Sequence, residues 1–167
     1  MTFELKPLSL EAVPRALAKA ERYRLLNEPG EAESICRDAL QVDPDNDQLR
    51  AMLVLALTDQ FDESTALTGE ALKLSDDLHD PYERAYYTGI VWERKAKAQL
   101  RRESLGLGPQ VYAWLREAMN WFERAEGLRT PGNDDAVLRW NCCARLIMKD
   151  RRLAPAPEEH AEPLFLE

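Results

Sequence analysis

Histidine and cysteine are scarce in this sequence, and their spacing argues against the common metal centres. The chain has two histidines and three cysteines, and no two cysteines have the spacing of a zinc or redox motif. Cys142 and Cys143 are adjacent, and neighbouring residues of a helix point about 100° apart, so they are poorly placed to bind one ion together. We therefore predict no metal site and no cofactor, with Cys36, Cys142 and Cys143 as buried thiols in a reducing compartment.

Long apolar segments are also lacking. The run from Met52 to Leu57 is far shorter than the roughly 20 residues that a membrane helix needs. The first twenty residues carry five charged side chains, so we expect no secretory segment there. The sequence therefore predicts a cytoplasmic protein with no membrane partner.

Catalytic motifs are absent as well. The sequence contains no phosphate-binding glycine loop, no nucleophile elbow and no cysteine–histidine pair at a plausible spacing. Its adjacent carboxylates, Asp76-Asp77 and Asp134-Asp135, lie at predicted helix ends, where acidic side chains commonly serve as caps. We predict that the protein is not an enzyme.

Positive charge is in deficit, which argues against nucleic acid as a partner. The net charge is −8 and the isoelectric point is near 4.9, whereas duplex binding needs a concentrated basic footprint. The one basic stretch, residues 94–102 (RKAKAQLRR), has the interleaving typical of a solvated helix face. The alternative, a regulator that binds RNA or DNA through this face, predicts salt-sensitive binding.

Helical periodicity is what the sequence does have. Apolar residues recur three and four positions apart, and no segment shows a sustained strand alternation. Turn signals rich in proline, glycine and asparagine divide the chain, with Asn27 and Asp80 as expected helix caps. Seven helices are predicted, near residues 12–27, 29–41, 47–59, 61–75, 81–104, 109–128 and 134–150.

These helices predict an all-α fold made of stacked antiparallel hairpins. Short connections place consecutive helices side by side in opposite directions. We predict one helical domain over residues 1–150. Residues 151–167, which are rich in proline and glutamate, are predicted to form an extended C-terminal tail.

One segment, residues 13–46, carries a repeat-like spacing. Its members read small-x3-large-x2-small-x4-Pro, preceded by an aromatic residue, and they are Tyr23, Ala32, Cys36, Ala39 and Pro44. Small residues let two helices approach closely, the larger residue fills the gap, and proline stops the second helix. This pattern resembles that of the tetratricopeptide repeat family.

The pattern recurs imperfectly further along the chain. Ala118, Phe122 and Ala125 repeat the second-helix spacing, although Pro131 comes one place late. In the last helix, Trp140, Cys143, Ala144 and Ile147 fit the first-helix spacing. The middle unit departs from it: Ala66 lies 34 positions after Ala32, but Glu70 and Lys73 stand at the packing positions, and Ala71-Leu72 fits only with a shift. Ala16 and Lys19 also replace the tryptophan and leucine that the family prefers.

The resemblance implies a curved α-solenoid whose first helices line a concave groove for a partner peptide or helix. It thereby implies a protein-interaction module, either an adaptor or an assembly factor. Helical projection of the inward-facing positions gives the candidate contacts Arg24, Thr58, Tyr86, Ile90, Glu93, Asn141 and Arg145.

The tail supports a second hypothesis. Leu164, Phe165 and Leu166 form an apolar cluster within an acidic, proline-rich segment. We predict that they dock into the chain's own groove, a neighbouring subunit or another partner. The alternative function is therefore a structural subunit of a homo- or hetero-oligomeric assembly.

Overall fold

The computed structural model describes residues 2–63, 65–102 and 107–156, and this part of the chain is helical without any strand. Its α-helices are α1 (Val13–Leu25), α2 (Pro29–Val42), α3 (Asp47–Asp59), α4 (Thr68–Asp76), α5 (Pro81–Arg101), α6 (Gly108–Leu128) and α7 (Asp135–Lys149). Short 3-10 helices cover Leu10–Ala12 and Thr65–Leu67. The prediction of an all-α fold with seven helices is confirmed.

Side-chain caps fix where α3 and α5 begin. The Oδ1 of Asn46 accepts a hydrogen bond from the backbone N–H three residues later, at 3.1 Å. The Oδ1 of Asp80 accepts from the backbone N–H groups of Tyr82 and Glu83 at 2.7 and 3.1 Å. Pro81 stands in the first turn of α5, where its missing N–H costs nothing. The prediction that Asp80 is a cap is confirmed.

Two local predictions are wrong. Asn27 does not cap α2; its φ of 61° places it in the left-handed region, which asparagine tolerates better than most residues, and it turns the chain after α1. The predicted helix 61–75 begins only at Thr68. Phe61 instead lies in a turn after α3, where its ring is fully buried.

Helix packing follows the order of the sequence. Each α-helix packs against the next one along the chain, and α1 also contacts α3 while α3 contacts α5. The odd-numbered helices α1, α3 and α5 therefore lie side by side. Packing continues beyond the predicted domain boundary at residue 150, because Leu153 is buried against the core of α5, α6 and α7.

Small side chains lie where the helices are closest. The repeat-pattern residues of α2 and α6 have no exposed surface, and they are Ala32, Cys36, Ala39, Ala118, Phe122 and Ala125. At Gly89 the helices α5 and α6 lie close together, because a Cβ atom there would lie 2.6 Å from Cε1 of Phe122. The pattern thus marks the packed face of both helices.

The same spacing occurs in the middle unit, but five positions later than predicted. The buried residues there are Ala71, Ser75 and Leu78, each 39 positions after its counterpart in α2. The predicted match, Ala66, is exposed. The extra length lies between α3 and α4, in the turn that contains Phe61 and in the 3-10 helix that follows.

Candidate functional site

Asp59, at the end of α3, joins that helix to both of its odd-numbered neighbours. Its Oδ2 accepts a hydrogen bond from Nε of Arg24 in α1 at 2.7 Å, and its Oδ1 accepts one from Nη1 of Arg94 in α5. The same Arg94 nitrogen donates to Oγ1 of Thr58 at 2.9 Å. One carboxylate therefore holds two arginines that lie 35 positions away on either side of it in the sequence.

Glu93 makes the corresponding link between α5 and α7, from a fully buried position. Its Oε1 accepts a hydrogen bond from Nζ of Lys97 and lies 3.5 Å from Nη1 of Arg139. Its Oε2 has no hydrogen-bond partner among the described residues. An unsatisfied polar atom in the interior costs about 1–3 kcal/mol.

Burial and opposite charge set the pKa values of the cations around these two carboxylates. Burial lowers the pKa of Arg94, and the charge of Asp59 only partly offsets it. Burial also acts to lower the pKa of Lys97, but the hydrogen bond and charge of Glu93 outweigh it and raise this pKa. The pKa of Arg139 is raised because the charge of Glu93 and a hydrogen bond with Tyr86 outweigh desolvation. Lys97 and Arg139 are therefore charged at neutral pH.

These side chains surround a cavity of about 280 Å³, which we call the charged cleft. Its lining residues are Thr58, Asp59, Glu93, Arg94, Lys97, Arg101 and Arg139. Four cations and two carboxylates give the lining a charge of +2, in a chain whose net charge is −8. The volume is at the small end of ligand sites, which suits one polar side chain better than a whole cofactor.

Four of the predicted contact residues meet at or beside the charged cleft. Thr58 and Glu93 line it, and Arg24 is bound to its edge through Asp59. Tyr86 is half-buried and close to Arg139, with its ring 6.0 Å from that of Phe122. Helical projection from the sequence therefore selected residues on the side of α1, α3 and α5 where the charged cleft lies.

The other three predicted residues lie elsewhere. Ile90 is fully buried in the core between α5 and α6, so its side chain has no surface to offer a partner. Arg139 and Cys142 of α7 face α5, through Glu93 and Lys97. Asn141 and Arg145 follow Arg139 by about 200° and 240° around the helix, and neither lines the charged cleft. The projection for α7 therefore did not select Arg139, the residue of this helix that does.

The basic stretch 94–102 is not a solvated face as predicted, because each of its cations has a partner within the protein. Besides the contacts of Arg94 and Lys97, Arg101 pairs with Asp62 at 2.8 Å, and Arg102 donates to the backbone carbonyls of Phe61 and Asp62. The ammonium of Lys95 lies 4.8 and 4.3 Å from the ring centroids of Trp92 and Trp114.

The sequence-based prediction of contact residues missed five residues that line the cleft, and they are Asp59, Arg94, Lys97, Arg101 and Arg139. Their signal was present in part, since Glu93, Lys97 and Arg101 are spaced as one stripe of a helix. Partners such as Asp59 and Arg94, however, come from different helices. Their pairing depends on how those helices are rotated about their axes.

Comparison with known proteins adds no relative. No protein-family model matches the chain, and no match was found among curated proteins or among solved structures. Within residues 2–63, 65–102 and 107–156, no helix is long and apolar enough to cross a membrane. The same residues contain no cluster of three or more histidine, cysteine, aspartate or glutamate side chains that could hold a metal ion. The predicted docking residues Leu164, Phe165 and Leu166 lie outside the described residues.

Proposed function

We propose that the protein is a cytoplasmic interaction module of the tetratricopeptide type, an adaptor or assembly factor. In this proposal a partner peptide or helix binds along the face formed by the odd-numbered helices. The observation that supports it is the charged cleft, whose residues come from α3, α5 and α7 and which Arg24 of α1 borders. These are the first helices of successive hairpins, the ones that line the groove in the family that the sequence resembles.

The charge of the cleft favours an acidic partner. The side chains of Arg101 and Arg139 are 56% and 36% exposed, so a ligand can reach them although they also pair with Asp62 and Glu93. A carboxylate of the partner would bind these cations, because opposite charges across an interface both steer and hold the complex. We therefore expect a segment with at least one aspartate or glutamate.

The same contacts argue against the other classes of function. The net charge of −8 and the small size of the charged cleft make a poor footprint for the continuous phosphate backbone of a nucleic acid. Both carboxylates of the cleft, Asp59 and Glu93, are already bound to arginine or lysine side chains, which suits the binding of a partner better than general acid–base catalysis. The proposal therefore includes no catalysis, no cofactor and no nucleic-acid partner.

The test is peptide selection with the full chain, followed by a matched pair of variants. A library of random peptides should yield acidic ligands whose affinity falls as salt is raised. Arg139→Gln should weaken their binding about tenfold or more, the loss expected for one charge-assisted contact. Arg145→Gln, at an exposed position of α7 that does not line the cleft, should not. Equal binding by both variants, or selection of ligands without carboxylates, would contradict the proposal.

A structural subunit of a homo- or hetero-oligomer is the second candidate. The observation that favours it is at α1, where Leu25 and Leu26 are 82% and 60% exposed. Large apolar side chains that lie together at a surface commonly mark an interface. This surface lies on a different face of α1 from Arg24.

A further inference from the structure

The outward face of α1 contains the second surface feature of interest, a groove of about 460 Å³ that we call the α1 groove. It is lined by Arg15, Ala18, Lys19, Arg22, Tyr23 and Leu26. These residues form one stripe along the helix, since they are three and four positions apart. Leu25 stands beside the stripe and is almost fully exposed. The groove therefore combines positive charge with apolar surface.

The cations of the α1 groove are not used within the described part of the chain. Arg15, Lys19 and Arg22 form no ion pair with any described carboxylate, and no acidic residue lines the groove. The ammonium of Lys19 lies 5.8 Å from the centroid of the Tyr23 ring, beside the groove. These three side chains form a local positive patch in a chain of net charge −8, and such a patch favours the binding of an anionic partner.

The chain itself contains a segment with the complementary chemistry. Residues 157–167 carry four glutamates and no lysine or arginine, and they include Leu164, Phe165 and Leu166. We propose that this segment of one copy binds the α1 groove of a second copy. Its glutamates pair with Arg15, Lys19 and Arg22, and its apolar side chains cover Tyr23, Leu25 and Leu26.

Geometry favours a second copy over the chain's own groove. Arg152 lies at the start of α6, where its carbonyl oxygen would be 2.1 Å from a Cβ atom at Gly108. Between this point and α1 lie α5 and α3, and three helix spacings of about 8–10 Å amount to roughly 24–30 Å. Glu158 and Glu159 follow Arg152 by six and seven positions, and seven residues span at most about 23–25 Å when fully extended. These two glutamates are therefore too near Arg152 in the sequence to pair with the α1 groove of their own chain, whereas a second copy can present the whole segment.

The charged cleft is the less suitable site for this segment. Its lining consists of charged residues and one threonine, and it offers little apolar surface for Leu164, Phe165 and Leu166. The α1 groove supplies both the charge and the apolar contacts. Self-association through α1 is therefore independent of partner binding in the cleft, and either property can be lost without the other.

The experiment measures the mass of the full chain by light scattering over a wide range of concentration. The wild type should form species heavier than the 19.1 kDa monomer, more so at low salt. The double variant Lys19→Glu/Arg22→Glu should lower the affinity of self-association about tenfold or more, because two attractive contacts become repulsive. Leu164→Asp/Phe165→Asp should do the same. The control Arg116→Glu/Arg145→Glu changes two exposed arginines on α6 and α7 and should behave as the wild type.

A charge exchange makes the test specific. Glu158→Lys/Glu159→Lys, added to Lys19→Glu/Arg22→Glu, should restore association that each double variant alone has lost. Arg139→Gln, which tests the charged cleft, should leave the mass unchanged. A wild type that is monomeric at every concentration would overturn the proposal. So would tail or α1 variants that associate as strongly as the wild type.

Discussion

A Cβ atom on Gly89 of α5 would lie 2.6 Å from Cε1 of Phe122 in α6, well inside van der Waals contact. Both residues are buried, and Phe122 has no exposed surface. The two helices are 21 residues long each, and at this point the absence of a side chain lets the phenyl ring rest against the backbone of α5. In a helix interior, glycine is about 1 kcal/mol less favourable than alanine. The helix alone would therefore favour alanine at position 89, and the close contact with Phe122 explains the glycine.

Gly89→Ala should therefore destabilise the protein, although alanine is the better helix former. We expect a loss of roughly 1–3 kcal/mol in the free energy of unfolding, the usual cost of overpacking a core. Gly127→Ala in α6 is the matched control, because nothing lies within 4 Å of a Cβ there. That variant should be unchanged or up to about 1 kcal/mol more stable. Urea unfolding followed by circular dichroism measures the free energy of unfolding of both variants. If Gly89→Ala were as stable as Gly127→Ala, the packing described for Gly89 would be contradicted.

Glu93→Gln should also destabilise the protein, since it removes the buried charge that Lys97 and Arg139 share. We expect a loss of about 1–3 kcal/mol, the range for hydrogen bonds to charged groups. A double-mutant cycle with Arg139→Gln should give a coupling energy of about 0.5–3 kcal/mol. Glu126→Gln is the control, because that side chain is 47% exposed and pairs only at the surface. A coupling energy of zero would mean that Glu93 does not hold α7.

Much of the fold was predictable because helix boundaries depend on local signals. The predicted limits of α3 agree with Asp47–Asp59, where Asn46 caps the first turn. The start of α4 was not predictable in this way. Phe61 continues the apolar periodicity beyond α3, which is typical of a helix, but it is buried in a turn. Only tertiary packing decides whether such a residue belongs to a helix or to a turn. The five-residue displacement of the repeat pattern in α4 follows from that turn.

The charged cleft was predictable only in part, for a related reason. Projection along one helix found Arg24 and Thr58 because their positions follow from helical geometry. It missed Asp59, although this residue binds two arginines, since the pairing joins three helices. It also chose Asn141 and Arg145 instead of Arg139, because the rotation of α7 depends on its contacts with α6. Sequence periodicity alone did not indicate that rotation.

Acid should weaken the protein partly through Asp47. Burial acts to raise the pKa of this carboxyl, but hydrogen bonds from His79 and Arg50 outweigh it and hold the pKa below its ordinary value. A lowered pKa in the folded state means that the stabilisation is present above the unfolded value. This stabilisation is lost as the pH falls through the pKa of Asp47 in the folded state. Asp47→Asn should therefore be less stable than the wild type near neutral pH. The two stabilities should converge as acid protonates Asp47, and urea midpoints between about pH 7 and about pH 3 test this. Parallel profiles would show that Asp47 contributes no acid dependence.

The three cysteines should differ sharply in reactivity towards iodoacetamide. Burial raises the pKa of Cys36 and of Cys143 to about 12, so both thiols stay protonated and enclosed in the folded protein. Cys142 is only partly buried, and its Sγ lies 3.6 Å from the ammonium of Lys97. Because alkylation needs an accessible thiolate, Cys142 should be labelled first at about pH 8, and the other two only after unfolding. Peptide mass spectrometry identifies the labelled residue, and Cys142→Ser should remove the fast phase. Labelling of Cys36 or Cys143 at the same rate in the folded protein would contradict their burial in the core.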